Sequence, residues 1–138
     1  MKSILELDNI HYWYPGQETP ALKAATLSVP SGCRMAVLGR NGSGKSTLLL
    51  HCNGILKPRE GTVRLAGRPV AYDRSSLREL RRQVGMVFQN PDDQLFSASV
   101  AQDISFGPLN LGLGEQEARH RVQVAAEMCE IADLLDRP

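Results

Sequence analysis

The sequence predicts an α/β fold: an antiparallel β region over residues 1–32 and 61–72, a core over 33–60 and 84–89, and a helical portion over 90–138. Three observations predict it. Leu5-Glu6-Leu7-Asp8 and Leu27-Ser28-Val29 alternate apolar with polar residues, the period of a strand with one wet face. Met35, Ala36, Val37 and Leu38 make a continuous apolar run, the pattern of a strand covered on both faces, and it leads through a glycine loop into helix-forming residues. Val122, Ala125, Ala126 and Cys129 fall at i, i+3, i+4 and i+7, one stripe of a helix that starts after Gly114.

Composition bounds what this fold does. The chain has 138 residues, 42% apolar and 22% charged, enough to bury one core and about one domain's length. Sixteen Lys and Arg against fifteen Asp and Glu leave a net charge of +1, which argues against non-specific nucleic-acid binding and against attraction to anionic lipid. The start, Met1-Lys2-Ser3-Ile4-Leu5-Glu6, lacks the apolar core of a secretory signal. No apolar run approaches the roughly 20 residues that span a bilayer, so direct insertion is not expected. Cys33, Cys52 and Cys129 are odd in number and widely spaced, which predicts buried free thiols and neither a zinc site nor a disulfide framework.

The elements follow in order. The strands around 5–8 and 27–29 flank a turn-rich loop, Pro15-Gly16-Gln17-Glu18-Thr19-Pro20, and Pro30-Ser31-Gly32 turns the chain into the apolar run. A helix over 46–53 ends at Gly54, a residue suited to a helix C-terminus. Residues 61–67 alternate again and turn at Gly67. Ser76 and Glu79 are spaced as a capping box, which starts a helix at 76 that runs to about 82. Residues 84–88 make a second buried strand. Ser99 and Gln102 form another box before Phe106-Gly107-Pro108. Arg78, Glu79, Arg81 and Arg82 read as a solvated helix face.

One stretch carries chemistry. Gly39-Arg40-Asn41-Gly42-Ser43-Gly44-Lys45-Ser46-Thr47 satisfies G-x-x-x-x-G-K-[ST] between the apolar strand and the helix. Glycines 39, 42 and 44 admit unusual backbone angles and let amides approach phosphate oxygens without a Cβ in the way. The helix that begins near Lys45 offers unpaired N–H groups and the positive end of its dipole. Lys45 adds a charge for the β- and γ-phosphates, and the Ser46 hydroxyl is suited to Mg2+. The fold is therefore expected to be a P-loop NTPase core that binds a nucleoside triphosphate with Mg2+. The loop alone does not choose among kinases, other NTPases and transport ATPases.

With Asn41, the three glycines and Lys45-Ser46-Thr47-Leu48, the loop resembles that of the ATP-binding subunits of ABC transporters. The resemblance implies ATP as the nucleotide, and a RecA-like core with an antiparallel β subdomain and the start of a helical subdomain. Upstream, Tyr14 in Tyr12-Trp13-Tyr14-Pro15 matches the family's adenine-stacking aromatic, while Tyr12 and Trp13 suit covering the sheet. Val84-Gly85-Met86-Val87-Phe88-Gln89 is similar to the strand and glutamine of the Q-loop, so Gln89 is implied to contact Mg2+ or the attacking water. Asn90-Pro91-Asp92-Asp93-Gln94-Leu95-Phe96, with residues 103–113 and His51-Cys52-Asn53-Gly54-Ile55-Leu56-Lys57-Pro58, resembles the cobalt-uptake and energy-coupling-factor branch of bacteria and archaea.

The resemblance implies an importer ATPase at the cytoplasmic face of the membrane, peripheral, paired head to tail with a second ATPase subunit, identical or not. Leu95 and Phe96, apolar in a polar loop, are the expected contact for transmembrane subunits. The chain ends before the family's signature segment, the next strand's aspartate and catalytic glutamate, and the switch histidine. The expected result is an incomplete ABC ATPase domain with a gap in its central sheet and exposed apolar faces, which by itself binds ATP weakly or not at all and does not turn over. A soluble P-loop kinase or other NTPase, and a non-catalytic nucleotide-binding module complete at Pro138, are the alternatives.

Overall fold

A computed structural model describes residues 3–90, 92 and 94–138. Met1, Lys2, Pro91 and Asp93 lie outside the described residues. The chain forms two compact units, Met1–Met86 and Val87–Pro138.

The first unit holds a four-stranded antiparallel sheet of β1 (Ser3–Tyr12), β2 (Leu22–Pro30), β3 (Glu60–Leu65) and β4 (Arg68–Pro69), in the order β2-β1-β3-β4. In β1, Leu5 stands between Val29 and Leu65, and Leu7 between Leu27 and Val63. Strict alternation would turn Ile10 to the wet side, yet Leu5, Leu7 and Ile10 are all buried. The register shifts between Leu7 and Ile10, where Asn9 takes a left-handed φ of 53° and its amide donates to Thr26 Oγ1 at 3.1 Å. This irregularity returns Ile10 to the apolar face.

Two helices cover that face, α1 (Lys45–Cys52) and α2 (Arg74–Gln83). Cys52 of α1 and Leu80 of α2 join Leu5, Leu7, Ile10, Leu22 and Val63 in one cluster, with Leu48 and Leu77 packed against it. Helix α1 ends at Asn53, and Gly54 follows at a φ of +71°, the left-handed residue expected just past a helix. Helix α2 begins two residues earlier than the Ser76 box predicts, because Asp73 supplies the cap. Its carboxylate accepts the amides of Ser75 and Ser76 at 2.9 and 3.0 Å. Asp73 is the cap because it stands just before the helix in extended backbone, where its carboxylate reaches both amides.

The two expected buried strands are not formed. Residues 35–38 and 84–88 lie outside any ladder, and Leu38 and Val87 are each 89% exposed. A strand covered on both faces needs neighbours on both edges and layers above and below, and among the described residues none pairs with these segments. The thiol expectation also fails in part: Cys52 is buried, with its pKa pushed up to about 11 by that burial, whereas Cys33 and Cys129 are exposed.

The second unit is α3 (Val100–Asn110), α4 (Glu115–Met128) and a 3-10 turn, Ala132–Leu134. Ser99 caps α3 by accepting the Gln102 amide at 3.3 Å, as its spacing predicts, and the helix continues through Pro108 to Asn110. Carbonyls of Arg137 and Leu135 take the amides of Val100 and Ala101 at 2.8 and 2.9 Å. Ala118, Val122 and Ala126 are the buried stripe of α4, with Ala125 half-buried and Cys129 beyond the helix end.

Candidate nucleotide site

The glycine loop joins the unpaired residues 35–38 to α1, and α1 is fixed from below by the sheet core. The turn into α1 depends on Gly44. It adopts a φ of +91°, and a Cβ there would stand 2.7 Å from the Ala21 carbonyl oxygen and 3.0 Å from Leu22 Cδ2. The loop is thereby pressed against the start of β2, at a position only glycine fills. Gly39 answers a different need, since its φ is not left-handed but its Cβ would meet Ser43 Oγ at 2.7 Å.

The first turn of α1 is bare of acceptors. Its N-cap, Gly44, has no side chain, and no acidic residue stands in the turn. The amides left unpaired at a helix start, with the positive end of the dipole, face the loop. Lys45 folds back across the loop and donates to the carbonyls of Gly39 and Arg40, each at 2.8 Å. Its ammonium therefore lies with the amides. Asn41, Gly42, Ser43 and Ser46 are exposed on the same loop and turn, with Gly42 left-handed at a φ of 78°. This set of amides, one ammonium and hydroxyls, in a loop with glycines at 39, 42 and 44, fits a polyphosphate with Mg2+.

Thr47 is placed otherwise than its neighbours. It is buried, and its hydroxyl lies 3.1 Å from the Tyr14 hydroxyl, so its side chain faces the aromatic segment while its amide belongs to the first turn. Tyr14 is half-buried, and its ring meets Tyr12 edge-on with centroids 5.1 Å apart. The phosphate loop and Tyr14 are thus joined through one residue. Trp13 stacks on His11 and carries the Arg59 guanidinium over its ring. Gln89 belongs to the second unit and is exposed.

Sequence reasoning passed over two residues. His51 lies one turn beyond Thr47 and is fully buried, its Nδ1 2.7 Å from the Thr47 carbonyl oxygen; the i, i+4 spacing was the signal. Arg81, read as part of a solvated face, donates to the carbonyls of Asn53 and Gly54 at 3.4 and 3.1 Å and holds the C-terminal end of α1. The rest of that face is solvated, with Arg82 3.9 Å from Glu79.

Compared with known protein families, residues 22–138 match the one described as ABC transporter. The chain belongs to the ABC transporter family. Members of the family are ABC ATPases, and the fold is the ABC form of the P-loop NTPase. The chain is 51% identical, over all 138 residues, to the cobalt import ATP-binding protein CbiO of Rhodobacter capsulatus, of which it covers 49%. It is 46% identical over the same length to the energy-coupling factor transporter ATP-binding protein EcfA of Methanosphaera stadtmanae, again covering 49%. The solved structure of CbiO1 from Clostridium perfringens, described as part of the ABC transporter complex cbiONQ, matches with a TM-score of 0.85 at 44% identity, over 100% of this chain and 55% of that one. The chain spans about half the length of the curated relatives it matches. No described helix is long and apolar enough to cross a membrane, and no described cluster of His, Cys, Asp and Glu could hold a metal ion.

Proposed function

We propose that this ABC chain is the nucleotide-binding portion of an importer ATPase, coupling ATP binding and hydrolysis to uptake of cobalt or a related metal ion or vitamin. The observation that carries the nucleotide reading is the bare first turn of α1 beside a loop onto whose Gly39 and Arg40 carbonyls the Lys45 ammonium folds back. Gly39, Asn41, Gly42, Ser43, Gly44 and the Thr47 amide surround the phosphates, Lys45 takes the β- and γ-phosphate charge, and Ser46 ligates Mg2+. Tyr14 stacks on adenine. Gln89 contacts Mg2+ or orients water, and as an uncharged amide it abstracts no proton. No carboxylate or imidazole stands among these groups to take a proton from the attacking water, so residues 1–138 by themselves are expected not to turn ATP over. The names of CbiO and EcfA favour the importer reading over a soluble kinase.

The partners proposed are a second ATPase subunit, head to tail, and transmembrane subunits that meet the segment after Gln89. There Leu95 and Phe96 are exposed, and Phe96 rests edge-on against Phe106 at 4.7 Å. The subunit would then lie peripherally on the cytoplasmic face of the membrane.

The test is ATP binding with Mg2+ by the full-length protein and its Lys45→Ala variant. A charge-assisted contact contributes about 1.5–3 kcal/mol, so the variant is expected to bind roughly 10- to 100-fold more weakly. Equal affinity would overturn the reading. Replacing Leu95 and Phe96 together by Asp is expected to abolish uptake in membranes while leaving ATP affinity unchanged.

A further inference from the structure

Four residues, with one main-chain carbonyl among their contacts, close a ring between the aromatic segment and α1. The Tyr14 hydroxyl meets Thr47 Oγ1 at 3.1 Å. The Thr47 carbonyl accepts from His51 Nδ1 at 2.7 Å. The His51 imidazole meets the Tyr12 ring edge-on at 4.9 Å, and Tyr12 meets Tyr14 edge-on at 5.1 Å. Because the partner of Nδ1 is a carbonyl, Nδ1 carries the proton, and Nε2 is left buried with no hydrogen-bond partner.

That orphaned nitrogen makes the imidazole a poor choice as mere filling. A leucine or phenylalanine would occupy a fully buried position without an unpaired acceptor. The imidazole supplies a donor for the Thr47 carbonyl, which neither of those residues has, and in the same flat ring an edge contact for Tyr12. Both lead to Tyr14. Backbone bonds from Gln17 to Tyr14 and from Ala21 to Tyr12, at 3.1 and 2.8 Å, fix the main chain of this segment but not the direction of the Tyr14 ring.

We propose that His51 is a positioning residue for the base of the nucleotide: acting through Thr47 and Tyr12, it holds the Tyr14 ring in its stacking orientation before the nucleotide arrives. This rests on the stacking role proposed above for Tyr14. Preorganisation of this kind removes side-chain ordering from the act of binding. It strengthens only the part of affinity that comes from the base. The phosphate loop stays intact when His51 changes, because the loop is fixed by Gly44 and Lys45.

The full-length protein is titrated with ATP and with inorganic tripolyphosphate, each with Mg2+, as wild type, His51→Phe, His51→Asn and Tyr14→Phe. His51→Phe and Tyr14→Phe are each expected to weaken ATP about fivefold to tenfold and to leave tripolyphosphate unchanged. Asn places an N–H near Nδ1, so His51→Asn is expected to regain most of the ATP affinity. The double variant His51→Phe with Tyr14→Phe is expected to lose no more than either single change, since both break the same ring. Equal weakening of ATP and tripolyphosphate, or additive losses in the double variant, overturns the proposal by reducing His51 to a support of α1. Where His51→Phe fails to fold, His51→Asn carries the test of the histidine, and Tyr14→Phe, which alters only a hydroxyl at a half-buried site, tests the last link of the ring: unchanged ATP affinity in it overturns the proposal. A wild type that binds ATP beside variants indistinguishable from it overturns this proposal alone; a wild type that binds neither ligand overturns the nucleotide reading with it.

Discussion

Helices α1 and α2 enter the same core from the same side of one sheet, yet their first turns are opposites. At α2, Asp73 takes the Ser75 and Ser76 amides, and both serine hydroxyls as well. The Ser75 hydroxyl bond, then those from the Ser76 amide and hydroxyl, hold this carboxyl well below the usual carboxylate range. At α1 no side chain answers the amides, and a lysine stands where an acid would normally help. Ser99 caps α3 much as Asp73 caps α2, whereas α4 starts at Gly114 with no side-chain cap but, unlike α1, has two acids, Glu115 and Glu117, in its first turn. A helix start that supplies its own anion is closed to ligands, and one that withholds it is open to them.

The largest effect is expected from closing α1 sterically. Gly44→Ala forces a side chain into a left-handed backbone and against the Ala21 carbonyl, a strain of about 1–3 kcal/mol before the contact is counted. ATP binding should fall below detection, and thermal unfolding should move to lower temperature. Next comes closing it electrostatically, by giving α1 the acid that α2 has. Ser46→Asp should raise the melting temperature slightly, as first-turn acids do, while weakening ATP by roughly 100-fold through repulsion of the phosphates. Calorimetry on one preparation reads both, and unchanged affinity would end the contrast between the two helices.

The reciprocal change is smaller and purely structural. Asp73→Ala should lower the melting temperature and leave ATP affinity as it was. In the wild type the stability that Asp73 supplies is present above its unfolded pKa of about 3.9 and is lost as pH falls through its lower folded value. The smallest effect belongs to His51. Burial lowers its pKa, against an opposing contribution from the Thr47 bond, so the folded protein resists taking up a proton that the unfolded chain accepts. Stability should therefore decline as pH falls below about 6.5. His51→Asn should flatten that part of the profile, and an unaltered slope would assign it to another group.

The sequence contained the local devices and not the long-range ones. The phosphate loop, the Ser99 cap, Gly54 beyond α1 and the β1–β2 hairpin each depend on a few adjacent residues whose chemistry admits one arrangement. Asp73 was missed because Ser76 and Glu79 match a capping pattern that an acid three residues earlier overrides. Residues 35–38 and 84–88 were read as strands from composition alone, and strand formation is decided by partners that composition does not name. The ring from Tyr14 to His51 was illegible for a related reason. It needs the register of β1, the entry of α1 beneath it and a particular side-chain direction, and only the i, i+4 spacing of Thr47 and His51 hints at it.

The segments around Leu38 and Val87 have a practical corollary. Each is a short, apolar, β-prone ribbon outside the sheet with a large side chain exposed, the kind of surface on which separate copies adhere. Residues 1–138 expressed by themselves should lose solubility as concentration rises, with turbidity and thioflavin fluorescence growing together. A lysine at position 38 or 87 should slow that growth.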